Sequence, residues 1–250
     1  MSDSMAWEPL RRELDRWQAA GRVARLWLRD DDAIEPTPDL EMLMALTGES
    51  QVPLTLAVIP GLTGEALAAR LAEEANIAVA VHGWSHTNHA GPEGKKQELG
   101  GERPVEIVLG ELGEGFQLLK RLHPARFVPV LVPPWNRIDA ALIPALPGLG
   151  FAALSVYGRA KQGGPMPLLN TDVDIIDWHG TRGGRSEEEL VAELVAELRA
   201  RFAGDDEPIG VLTHHLVHDA AAWNFLSALF AMTARHPAVL WSSAAALLKL

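Results

Sequence analysis

The stretch ARLWLRDDD, residues 24–32, decides how the rest of the chain is read. Its first five positions are mostly apolar and run without a turn residue into one arginine and three aspartates. A short strand that is apolar on both faces belongs inside a parallel sheet covered by helices. The acidic triple behind it is then held where the strand leaves the core. The same pattern recurs down the chain. Strand candidates lie at 53–59 (PLTLAVI), 77–81 (IAVAV), 127–132 (FVPVLV), 151–156 (FAALSV), 173–176 (VDII), 209–213 (IGVLT) and 238–241 (AVLW). Helical patterns separate them. One is capped by Thr37 with Pro38 in its first turn; others span 63–75, 104–122, 186–202 and 219–234. Ser186 and Glu189 have the spacing of a capping box.

Alternating β and α units, with no long linker and no low-complexity segment, give an α/β fold class. Eight strand candidates favour a distorted (β/α) barrel of seven or eight parallel strands over a doubly wound sheet. One domain spanning 1–250 is expected, with residues 1–22 as an N-terminal helix.

Bulk properties narrow the function. A chain of 250 residues can bury a core without disulfides, and this one has no cysteine. That excludes disulfides, zinc-thiolate sites and cysteine nucleophiles, and fits a reducing compartment. A formal net charge of -11 argues against a nucleic-acid partner. No apolar run reaches the roughly 18 residues of a membrane helix, and the N-terminal segment is acid-rich rather than a secretory signal. The expectation is a soluble, cytoplasmic, globular protein with neither nucleic acid nor membrane as partner.

The chemistry gathers at strand ends. RDDD (29–32) follows the first strand, HGWSHTNH (82–89) the third and PPWNR (133–137) the fourth. Asp177 and Trp178 follow the sixth, and the seventh runs into His214 and His215. A parallel barrel opens all these ends on one face, where active sites are built. Each signal alone has an ordinary explanation. An acidic triple can cap a helix, a proline pair can stop a strand, a loop histidine is mostly just hydrogen-bonded, and a tryptophan can simply pack. As a set they suggest two histidines and a carboxylate, the open site of catalytic zinc or iron. Spacing alone does not choose among His82, His86 and His89.

With these motifs in this order, the chain from Arg29 to about Asp219 resembles the polysaccharide deacetylases (the NodB-homology domain, carbohydrate esterase family four), as a divergent intracellular branch. In that family an aspartate pair supplies a catalytic base and a metal ligand. Setting Arg29 and Asp30 ahead of the pair makes Asp31 the base and Asp32 the ligand; the alternative is Asp30 and Asp31. The motif H-[ST]-x-x-H corresponds to His82-Gly83-Trp84-Ser85-His86, which implies both histidines as ligands. The Arg-x-Pro-type loop corresponds to Val132-Pro133-Pro134-Trp135. D-x-x-D-W corresponds to Asp174 through Trp178, and leucine-x-His to Leu212-Thr213-His214.

The resemblance implies one divalent metal, zinc first, with iron, cobalt or nickel as alternatives. It implies removal of an acetyl or other acyl group from an N-acetylated sugar or related amide, a small-molecule or oligosaccharide substrate. A metal of this kind lowers the pKa of water from about 16 towards ~7. Asp31 would take the water's proton, and His214, oriented by Asp177, would protonate the leaving amine. A backbone N–H near Trp135 would steady the oxyanion. Trp84, Pro134, Trp135 and Trp178 are candidate sugar contacts, with His89 and His215 as pocket lining. Glu98 and Arg103 are a candidate pocket-edge pair. His218 has no assigned role, and His123, His179 and His236 are expected to be local or surface residues.

Three departures stand out. Gly83 replaces a Ser or Thr that braces the histidine loop, Asn136 replaces a Gly, and Val132 stands where the family's arginine orients the catalytic Asp. Arg137 is the candidate replacement for that arginine. Two rival readings are an amidohydrolase acting on a cyclic amide or ureide and a non-catalytic relative. A soluble N-acetyl sugar, or a nucleotide- or lipid-linked precursor, is the substrate guess.

Overall fold

The computed structural model describes residues 5–159, 164–204 and 207–249, so residues 1–4 of the expected N-terminal helix lie outside it. The described residues form eight strands: β1 Ala24–Ala33, β2 Leu54–Val58, β3 Ile77–His82, β4 Phe127–Val132, β5 Ala153–Leu154, β6 Val173–Asp174, β7 Ile209–Thr213 and β8 Val239–Trp241. Around them lie α1 Glu8–Ala19, α2 Pro38–Ser50, α3 Glu65–Leu71, α4 Val105–Leu122, α5 Leu146–Leu149, α6 Glu187–Phe202, α7 Ala220–Thr233 and α8 Ala244–Leu248. Strand order is β5-β4-β3-β2-β1-β7-β6, and β8 pairs with the first residues of β1. Every named ladder is parallel. Single parallel bridges from Leu154 to Leu168 and from Tyr157 to Thr171 tie β5 to the segment entering β6. The two ends of the sheet therefore meet, which gives a distorted (β/α) barrel.

Local signals set several boundaries. Thr37 Oγ1 accepts the Leu40 N–H at 3.1 Å, and Ser186 Oγ accepts that of Glu189 at 3.3 Å, as N-cap residues do. The helix expected at 63–75 shrinks to Glu65–Leu71. β5 and β6 are shorter than their apolar runs because their flanks pair through isolated bridges. β1 is longer than its apolar run, since its charged half is also buried and paired.

Two cores result. Leu26, Leu28, Leu54, Leu56 and Val79 face outward onto Leu40, Leu112, Leu194 and Phe225 of the helices. Trp27 faces inward among Ala57, Ala80, Val130, Ala153 and Leu169. Its Nε1 donates to the Asn170 carbonyl at 3.1 Å. A Cβ at Gly210 would lie 2.5 Å from that nitrogen, so the ring occupies space that only a glycine leaves open. Side chains alternate along a strand. The inward setting of Trp27 therefore carries Arg29 and Asp31 into the barrel with it. Among the described residues, no helix is long and apolar enough to cross a membrane.

Candidate active site

Among the described residues one His and carboxylate cluster can hold a metal: Asp32, His82 and His86, with ligand atoms within 4.8 Å of one another. Backbone geometry re-aims all three. β1 bulges between Asp30 and Ala33, and Asp32 takes a φ of 72°. His82 ends β3. His86 follows the turn with a φ of 56°. Bulges and left-handed residues of this kind concentrate at functional sites.

His82 Nδ1 donates to the Val132 carbonyl at 2.9 Å. Its Nε2 then lies 3.0 Å from Asp32 Oδ1, and His86 Nε2 lies 3.3 Å from the same oxygen. With Nδ1–H spent on the carbonyl, a neutral His82 presents a lone pair to a carboxylate. That contact is favourable only with a proton or a cation between them. Two imidazoles and one carboxylate suit zinc and its neighbours, so the residues fit the expected ion. Burial works against ionising Asp32, but the hydrogen bond and charge of His82, with His214 and His86, hold its carboxyl below the ordinary range. Burial likewise opposes protonation of His82, yet Asp32 and Asp31 raise it. For His86 burial prevails and lowers it.

The histidine loop rests on Glu98. This side chain is wholly buried and accepts from Trp84 N (3.1 Å), Ser85 N (2.7 Å) and Ser85 Oγ (3.0 Å). Gly83 has a φ of 58°, and a Cβ there would meet a Glu98 carboxylate oxygen and lie 2.6 Å from Pro134 Cγ. The brace therefore comes from a carboxylate beneath the loop instead of a hydroxyl at position 83. Glu98 is not paired with Arg103, whose guanidinium sits on Glu111 at 2.5 and 2.8 Å. The pocket-edge pair is corrected accordingly.

Asp31 lies beside the cluster and is 2% exposed. Arg29 grips both its oxygens, Nε to Oδ1 at 2.8 Å and Nη2 to Oδ2 at 3.0 Å. The same guanidinium reaches Ser155 Oγ at 2.6 Å and Asn136 Oδ1 at 2.9 Å. Arg29 thus does what was expected of Arg137, whose Nη1 instead donates to the Lys96 carbonyl at 2.8 Å. Asn136 takes a φ of 56°, which asparagine tolerates, and adds an acceptor for Arg29 that glycine could not.

His214 Nε2 lies 4.0 Å from Asp31 Oδ2. Its Nδ1 is buried with no hydrogen-bond partner among the described residues. Asp177 does not orient it. That side chain is partly exposed and accepts from Gly180 N and Thr181 N, closing a turn. The carboxylate of Asp174, the first of the motif, feels the charge of His214, as that of Asp32 does. Burial raises the Asp174 carboxyl, with His214, Ile176 N and Trp178 pulling the other way. Trp178 Nε1 donates to Asp174 Oδ2 at 2.8 Å, and its ring meets that of His214 edge-on at 4.6 Å.

The remaining candidates separate. Trp135, with a φ of 54°, sets its ring 4.3 Å from that of His86, and Pro134 lies buried under Gly83. Trp84 packs outward, against Gly61 and Gly115. His89 is partly exposed, and its N–H donates to the Gln97 carbonyl. His215 is not pocket lining: it is 1% exposed and pairs through Nδ1 with Asp30 Oδ1. Asp30 also accepts from Thr213 Oγ1 at 2.6 Å and His215 N at 2.8 Å. Those bonds occupy Asp30, leaving Asp31 and Asp32 to face the site. Arg29, Glu98 and Asp174 were missed as partners by motif reading, although the i, i+2 step from Arg29 to Asp31 was visible in the sequence.

No protein-family model and no curated protein matches the sequence. Solved structures match its fold. A Mycobacterium smegmatis protein assigned to the polysaccharide deacetylases is similar over 92% of this chain and 90% of its own, with 18% identity and a TM-score of 0.67. The Bc1960 peptidoglycan N-acetylglucosamine deacetylase matches over 90% and 88%, with 14% identity and a TM-score of 0.57. A family 4 acetyl xylan esterase from Clostridium thermocellum, solved with a cobalt ion, matches over 90% of each chain, with 12% identity and a TM-score of 0.54.

Proposed function

We propose that this chain, whose fold is that of the polysaccharide deacetylases, is a metal-dependent hydrolase that removes an acyl group from an N-acylated sugar or related amide. The observation that carries this reading is the approach of Asp31 to His214, 4.0 Å, beside the Asp32, His82 and His86 donor set. A divalent ion held by those three residues supplies Lewis acidity towards the carbonyl and makes water acidic near neutral pH. Asp31, fixed by Arg29, accepts the proton of the attacking water. His214 returns a proton to the departing amine nitrogen, a step worth on the order of 10² to 10⁴ in rate. Asp174 accepts the N–H of Trp178, whose ring meets the His214 imidazole edge-on. Trp178 shields that imidazole and turns a ring towards the mouth, where a sugar face can lie.

The fold similarity supports the same class, since an N-acetylglucosamine deacetylase and an acetyl xylan esterase share it. Zinc is the first candidate ion, followed by iron, cobalt and nickel, because two imidazoles and a carboxylate accept all four. The test is elemental analysis of purified protein joined to a carboxylate-release screen across N-acetylated sugars. One divalent ion per chain is expected, with release by the wild type and none by His214→Ala, which keeps its ion. A fully active metal-free protein would sink the reading.

A further inference from the structure

We propose that the substrate carries a hydrocarbon chain, and that this chain occupies the cavity beside Asn136. The inference rests on the amide-hydrolase reading and specifies its substrate. A cavity of about 610 Å³ opens between the segment that follows β4, the end of β5 and the segment entering β6, with Asn136 in its wall. Asn136 is the residue whose carboxamide holds Arg29, and Arg29 holds Asp31, so one wall residue of the cavity is linked through Arg29 to the reacting groups. Its volume lies within the roughly 300–1,000 Å³ of sites that enclose whole small ligands, far beyond what an acetyl group needs.

The walls are apolar: Ile138, Ile143, Leu154, Val156, Met166 and Leu168. The polar groups among them are committed elsewhere. Arg137 donates to the Lys96 carbonyl, Tyr157 to Glu193, and Arg159 to Glu197. The Asn170 carboxamide is used on Val156 N and the Gly158 carbonyl. Arg159 is neutralised by Glu197 and Arg137 spends an N–H on the Lys96 carbonyl, and a methylene chain would lose water against the six apolar side chains. The rim continues the pattern. Leu62, Tyr157, Trp178, Leu216 and Val217 are 36–56% exposed, and each follows the C-terminal end of a strand. Isolated exposed apolar residues are ordinary; of these five, Tyr157 also lines the cavity.

Metal-loaded wild type, Val156→Trp and Ile143→Trp are compared on two series, alkyl glycosides of N-acetylglucosamine and N-acylglucosamines of rising chain length. Along one series kcat/KM should rise about fourfold per methylene until the cavity is filled, and which series responds tells whether the chain sits on the sugar or on the acyl group. Both tryptophan variants should flatten that rise while cleaving N-acetylglucosamine as the wild type does. Calorimetric binding of the octyl glycoside to wild type and variants is measured in parallel. Flat series in both arms, with acetyl release intact and no octyl binding, overturn the hydrocarbon proposal and leave the hydrolase. Octyl binding that the variants abolish, with no hydrolysis of any substrate, supports the cavity assignment and overturns the hydrolase reading.

Discussion

Arg29 is wholly buried and divides its guanidinium among Asp31, Ser155 and Asn136. Arg29→Met would strand the Asp31 carboxylate in the barrel without its counter-charge. Breaking a buried pair in this way costs about 3–5 kcal/mol, to be read as a drop in the urea midpoint. Arg29→Lys keeps the charge and loses the two-pronged grip, so turnover should fall with metal content unchanged; equal turnover would remove Arg29 from the positioning of Asp31. His82→Ala and His86→Ala should each lose the divalent ion by elemental analysis, whereas His214→Ala should retain it. The family resemblance implied Asp31, Asp32, His82, His86 and His214, with Asp30 and Asp31 as the alternative pair. Arg137 and Asp177 take other partners because linear spacing hides direction: the Asp177 carboxylate folds back onto its own turn, and Asp174 accepts from Trp178, whose ring meets that of His214.

At the scale of the element, the histidine loop and the first strand carry the strain. Gly83→Ala would force a Cβ into Glu98 and Pro134 at a φ of 58°. The loop must then shift, and metal affinity measured by chelator competition should fall. Glu98→Gln keeps the shape but gives up one acceptor oxygen, so it should weaken metal binding less than Gly83→Ala. Inside the barrel, Gly210→Ala would press on Trp27 Nε1 and the Asn170 carbonyl. Overpacking of this kind costs ~1–3 kcal/mol, a fall in Tm of about 2–4 °C per kcal/mol for a chain this long. Strand identities were legible because buried parallel strands are short and apolar. The length of β1 was not, because Arg29 to Asp32 look like a loop until Thr213, His215, Ser155 and His82 supply their partners. Glu98 was invisible for a similar reason: its bonds run to residues 13 and 14 positions away.

For the molecule as a whole, a buried histidine and a partly buried one make stability depend on pH. Burial pushes His123, which closes α4 and is 3% exposed, down to about 4, and it does the same to His218. Below about 6.5 the unfolded chain binds protons at these rings and the folded chain does not, so stability falls as pH drops from about 6.5 to about 4. Above 6.5 neither state binds them and the dependence vanishes. The His123 contribution is on the order of 3 kcal/mol at its acid limit. Denaturant titrations at pH 7 and pH 4.5 should show that loss, and His123→Leu should lessen it; an unchanged slope would contradict the assignment. The Asp30 and His215 pair acts in the opposite sense at each edge. Burial disfavours both charges, yet each partner favours the other's, lowering Asp30 and raising His215. Its stabilisation fades as pH falls through the depressed Asp30 value and as pH rises through the raised His215 value.

The chemistry assigned to the barrel mouth meets its most direct test in carboxylate release from N-acetylated sugars by the metal-loaded chain, set beside Asp31→Asn. The substitution keeps the size of the side chain and leaves Asp32, His82 and His86 in place, so the ion should remain. Release should fall by at least the 10² typical of a lost general base. Equal release by both proteins, at equal metal content, would contradict the account.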